Sequence, residues 1–131
     1  MKLTVDTNVL VRAVMRDDLA QADIAAKVLQ DAELIAVAAP CLCELVWVLR
    51  KLYRLPTADV AAAIHALVAA NNVEMNRAAA EAGLALLESG GDFADGVIAY
   101  EGNWLGGEMF VSFDRQAVAL LETQGAKARL L

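Results

Sequence analysis

The chain has 131 residues, 59% of them hydrophobic, with 11 basic and 17 acidic side chains and a formal charge of −6. That length suits one domain, residues 1–131, able to bury a core without disulfides or metal staples. The acidic balance excludes a surface that coats nucleic-acid phosphates; it leaves open a cleft whose carboxylates are neutralised by bound cations.

The apolar stretches "ELIAVAAPCLCELVWVL" and "AAAIHALVAA" are interrupted by Pro40 and Glu44 or are short and alanine-rich, which argues against a membrane span. Asp6 falls inside what a signal peptide would need as its apolar region. The expectation is a soluble cytoplasmic protein with no membrane partner. Cys41 and Cys43 stand too close for an easy disulfide and lack the second pair or nearby histidine of a zinc site, so they are expected as reduced, partly buried thiols.

In chain order, "KLTV" reads as a strand that stops at Asp6, with a helix starting at Asn8 or Val9. "AQADIAAKVLQD" reads as a helix with Ile24, Val28 and Leu29 on one face. "ELIAVAA" is a second strand ending at Pro40. From Cys41, "CLCELVWVLRKLY" places Leu42, Leu45, Val46 and Leu49 at helical spacing, with basic residues in its last turn. "PTADVAAAIHALVAANN" is a helix entered through Pro56 and Thr57, and "VEM" a weak strand. "NRAAAEAGLALLESGG" is a helix with Asn76 as its cap and glycine after its end. "DFADGVIAYEGNWLGG" is the next helix. "EMFVSF" is a strand ending at Asp114, "DRQAVALLETQG" a helix closed by Gly125, and "AKARLL" a last strand. Strands alternating with helices predict an α/β fold with a central parallel sheet covered on both faces.

Five acids stand at element ends: Asp6, Glu44, Asp92, Asp95 and Asp114. Singly, each has an ordinary role. Asp6 and Asp114 suit helix caps. Glu44 is expected in a first helical turn, where its charge favours the helix dipole. Asp92 and Asp95 have the spacing of a capping box. As a set they mean more. Asp6 and Asp114 follow strands, and the other three begin helices. In an open parallel sheet such positions line the edge where ligands bind. Carboxylates gathered there repel unless a cation joins them. Oxygen donors without histidine or thiolate select Mg²⁺ or Mn²⁺ over zinc. One or two such ions can drive phosphodiester hydrolysis.

The ordered series "VDTNVLVRAV", "CELVWVLRK", "DFADGVIA" and "VSFDR" resembles the motifs of the PIN-domain nucleases, and within them the VapC-type toxins of bacterial toxin–antitoxin pairs. The resemblance runs in order over nearly the whole chain. It implies a three-layer α/β/α domain and an endoribonuclease dependent on Mg²⁺ or Mn²⁺. It also implies a homodimer, an RNA substrate and inhibition by a cognate antitoxin. By motif, Asp6 and Asp95 are the prime metal ligands, Glu44 and Asp114 complete the catalytic quartet, and Asp92 is accessory. Thr7, Asn8 and Ser112 are the groups expected to orient those carboxylates.

Two other classes compete with this reading. A phosphotransfer enzyme with acids at its strand ends needs a well-placed lysine, and the phosphatase form also wants an aspartate where Asn8 stands. A non-catalytic PIN-like protein-binding module would not need the full acid set. Trp47 is expected in the core or at a partner surface, and Trp104, the more plausible exposed aromatic, in core or dimer packing, each ahead of stacking on RNA bases; His65 is expected as an ordinary helix residue. Arg12, Arg16, Arg50, Lys51 and Arg54 are candidates to meet phosphates.

Overall fold

A computed structural model describes residues 1–131. Its backbone packing divides into two compact units, Met1–Asn76 and Arg77–Leu131.

The first unit holds strands β1 (Lys2–Thr4), β2 (Leu34–Ala36) and β3 (Val73–Glu74), with helices α1 (Thr7–Met15), α2 (Leu19–Asp31), α3 (Ala39–Trp47) and α4 (Thr57–Ala69). The strands are parallel in the order β1-β2-β3, with Leu3 opposite Ile35 and Ile35 opposite Val73. Ile35, on the middle strand, is fully buried. Helix α3 buries Leu42, Leu45 and Val46, and Leu49 continues that face, as the spacing predicts. It starts at Ala39, two residues earlier than the sequence suggests. Proline in a first helical turn gives up an amide that has no partner there anyway, so Pro40 opens this helix instead of ending the strand.

Beyond Trp47 the helix widens into a π-helical turn, Val48–Leu52, where the Tyr53 amide donates to the Val48 carbonyl at 3.1 Å. The face expected for α2 is corrected. Ala22 and Ala25 are its buried residues, while Ile24 and Val28 are exposed. Two alanines a turn apart let α2 lie close against α1, and close approach decides which stripe is covered.

The second unit holds α5 (Arg77–Glu88), α6 (Phe93–Trp104), β4 (Phe110–Ser112), α7 (Arg115–Thr123) and β5 (Ala128–Leu130). β4 and β5 pair in parallel, Val111 opposite Arg129. The strands are thus parallel throughout and alternate with helices, the α/β class read from the sequence; their hydrogen bonds form a three-stranded and a two-stranded group.

All three helices of this unit end alike. Gly90, Gly106 and Gly125 adopt left-handed φ values of 91°, 104° and 87°. The next amide in each case donates back to the carbonyl of Leu86, Gly102 or Leu121, the bond that closes a glycine-capped helix end.

Helices α5 and α6 approach through small residues. Phe93 is fully buried against Gly83, where an added Cβ would lie 2.7 Å from its ring. At Gly96 an added Cβ would run into the Ala82 carbonyl, a backbone atom that no rotamer change can move. Gly96→Ala therefore forces two helices apart, and overpacking of this kind costs about 1–3 kcal/mol. Alanine's better helix propensity, about 1 kcal/mol, offsets only part of that cost. A lower urea midpoint is expected, and an unchanged or higher midpoint would show that the two backbones are not in contact.

Candidate metal-binding acids

In the first unit the acids hang on one threonine. Asp6 lies two residues past the end of β1, with an extended backbone (φ −79°, ψ 157°), and caps α1. Its Oδ1 accepts the Thr7 amide at 2.7 Å, and its Oδ2 accepts Asn8 Nδ2 at 3.3 Å. Both oxygens therefore accept a hydrogen bond, one from the backbone of buried Thr7 and one from the side chain of exposed Asn8. Thr7 is the one buried polar residue of the chain. Its Oγ1 stands 3.3 Å from Glu44 Oε2 and 3.6 Å from Cys41 Sγ. The hydroxyl has a single proton, and the carboxylate is the stronger acceptor.

Glu44 is not in a first helical turn, contrary to expectation, because α3 begins at Ala39. Thr7, rather than the helix dipole, holds it. Cys41 joins this group, although the sequence pattern alone marks it only as a partly buried thiol. Its signal was the spacing of three between Cys41 and Glu44, which places the two on adjacent turns of one helix. Burial first, then the negative charges of Glu44 and Asp6, push the Cys41 thiol up, with Thr7 pulling the other way. A thiol so raised is protonated and unreactive.

In the second unit, Asp92 caps α6 by accepting the Ala94 amide at 3.1 Å, and Asp114 caps α7 by accepting the Ala117 amide at 3.1 Å. Ser112 accepts the Asp114 amide at 2.9 Å, so it fixes the backbone of that residue and not its carboxylate. Asp95 differs from both caps. It sits in the first turn of α6, half-buried, and the capping-box bond back to Asp92 is not made: its carboxylate accepts no hydrogen bond. Loss of water by burial raises its pKa first, and the charges of Asp92 and Asp114 raise it further.

No three His, Cys, Asp or Glu side chains are grouped tightly enough to enclose an ion. The donors fit a hard divalent cation in kind. They are carboxylates with amide and hydroxyl groups behind them, and Asp95 is a partly dehydrated acid in a negative neighbourhood that a cation would relieve.

The remaining candidates fall elsewhere. His65 lies on the exposed side of α4. Trp47 and Trp104 are 55% and 75% exposed, so neither is packed in the core of the chain. Arg12 and Arg16 are already neutralised. Arg12 pairs with Asp17 at 3.3 Å and meets Gln21 and Tyr53; Arg16 pairs with Asp23 at 2.7 Å. Tyr53 also donates to Asp17 at 2.8 Å, which with Arg12 lowers the Asp17 pKa.

Parallel strands with intervening helices define an α/β protein. The PIN domain model matches residues 3–119, and the chain belongs to that family, whose members are typically metal-dependent nucleases. No curated protein matches the chain. No helix is long and apolar enough to cross a membrane.

The raised Asp95 pKa has a sign that can be measured. An acid whose folded pKa lies above its unfolded one binds protons more readily when folded. The stability this adds is present in acid and is lost as pH rises through the raised value. In metal-free protein, Asp95→Asn removes the buried charge. The variant should therefore outlast the wild type in urea at pH 7, with the gap closing as pH falls below the raised value. A gap that is the same at both pH values would mean that Asp95 is not strained.

Proposed function

We propose that the chain is an endoribonuclease dependent on Mg²⁺ or Mn²⁺, a VapC-type toxin that hydrolyses RNA in the cytoplasm as a homodimer and is inhibited by a cognate antitoxin. Residues 1–131 act as a single nuclease domain in this reading. Asp6, Glu44, Asp95 and Asp114 are its catalytic metal ligands, with Asp92 accessory.

The observation that carries this reading is Asp95. A half-buried carboxylate without a donor, flanked by two further acids, is a poor choice for stability. It makes sense as a ligand held ready for a cation. Thr7 supports the same reading from the first unit, where its amide and hydroxyl address Asp6 and Glu44 respectively. When bound, the cation supplies Lewis acidity toward the phosphodiester and hydroxide at neutral pH. The protein's share is to fix the carboxylates before the ion arrives: Asp6 by two hydrogen bonds, Glu44 by one, and Asp114 by its cap.

Purified protein should cut structured RNA only with Mg²⁺ or Mn²⁺ present. Asp6→Asn and Asp95→Asn should each reduce cleavage at least about 100-fold, to background, while circular dichroism stays native; metal-ion catalysis supplies rate factors of this order or larger. Normal cutting by either variant would remove that residue from the site.

Thr7→Val keeps the volume and deletes the hydroxyl. Loss of a group that orients ligands should weaken Mn²⁺ binding about 10- to 100-fold by calorimetry. A chain that takes up no Mn²⁺ at all would instead be a protein-binding module on a nuclease fold.

A further inference from the structure

Leading away from one of the acids, a helix face carries two side chains that the nuclease reading does not use. Glu44, Trp47 and Lys51 follow one another at spacings of three and four along α3 and its π-helical continuation. Residues so spaced are neighbours, about 5–6 Å apart at Cβ. All three are exposed, whereas Cys41, Leu42, Leu45, Val46 and Leu49 turn the other side of the helix inward.

The order along the row is a carboxylate, then an indole, then an ammonium. Three further facts make it more than an accident of exposure. Lys51 forms no ion pair, although acids outnumber bases in the chain 17 to 11. Arg50, beside it, is tied down by donating to the Leu55 carbonyl at 3.2 Å, so the charge stays at this end of the helix. The helix also widens into its π-helical turn between Trp47 and Lys51, and π-helical turns recur at functional sites. Trp104 lacks all of this, with no basic residue in the last turn of its helix.

We propose that Trp47 and Lys51 form a track for single-stranded RNA that leads to Glu44. A base stacks on the Trp47 indole and the neighbouring phosphate meets Lys51. Stacking accepts every base, because each has a π-face, and a lone ammonium contacts phosphate without reading sequence. The track is therefore a positioning device that favours unpaired strands, and it does not choose a sequence. Charge argues for RNA over a protein partner. A strand brings phosphates for the unpaired Lys51 and bases for the indole, and in the nuclease reading, on which this proposal rests, it also brings the scissile bond toward Glu44.

The test separates the two ideas. In Trp104→Phe protein Trp47 is the sole indole, since the chain has two tryptophans. With EDTA present, an oligouridylate of about twelve nucleotides should quench its fluorescence saturably; single-strand sites on proteins span about 4–16 nucleotides. By anisotropy of labelled oligouridylate, Trp47→Ala should bind about 5- to 100-fold more weakly, and Trp47→Phe should recover most of the loss. Lys51→Ala should lower the slope of log affinity against log salt by about 0.7.

Unchanged affinity in Trp47→Ala overturns the proposal. So does a Trp47→Ala protein whose sedimentation shifts from dimer to monomer with RNA affinity intact, which would assign the face to a second copy of the chain. Quenching and binding by a protein that cuts nothing with Mg²⁺ or Mn²⁺ would keep the track and end the nuclease reading.

Discussion

A helix start leaves amides without partners, and in this chain aspartates answer them. Asp6, Asp18, Asp92 and Asp114 each accept an amide from the first turn of the helix they precede. The bond stabilises the helix by roughly 1 kcal/mol, and it also fixes where the carboxylate points. A cap uses one lone pair of one oxygen, which leaves several sites on the group for a cation. Three of these four caps are proposed ligands, so helix formation itself positions the acids. Asp18 shows that the arrangement alone is not function. It caps α2 in the same way and is not among the proposed ligands.

Against this background Asp95 is the exception that carries meaning. The same helix that Asp92 caps holds Asp95 in its first turn, where the dipole favours a negative charge. That benefit is outweighed by burial and by the two neighbouring carboxylates, because the pKa of the group is raised and not lowered. The close contact of α5 and α6 leaves it no choice of place. Gly96, the residue after Asp95, lies against the Ala82 carbonyl, so this turn of α6 is already seated as close to α5 as it can be.

The sequence told most about what depends on local pattern. Asp6 and Asp114 as caps, the inward face of α3 and the glycine ends near Gly90 and Gly125 follow from spacing and residue type. It told least where neighbours decide. Ile24 and Val28 have the size and spacing of a core stripe, but α2 turns Ala22 and Ala25 inward because small residues let it lie close to α1. Pro40 has one meaning after a strand and another in a first helical turn, and the choice moved Glu44 from the first turn of its helix to the second. Whether Asp95 would close a capping box or stay bare depended on burial, which no spacing of two acids reveals. The five candidate acids were visible as types at positions. Thr7 as a link between Asp6 and Glu44 needed the fold.

The π-helical turn has a consequence for chain length. A five-residue hydrogen-bonded turn holds one residue more than an α-helical turn in nearly the same axial space. At Val48–Leu52 a one-codon deletion could therefore be taken up by winding the segment into regular α-helix, with no loop to shorten. Everything before Trp47 would keep its register, and the residues after the segment would keep nearly their orientation, because both forms complete about one turn. Related chains that differ in length by one residue at this point would then present the same acid on α3 and the same helix face beyond it, with one side chain fewer in the turn between.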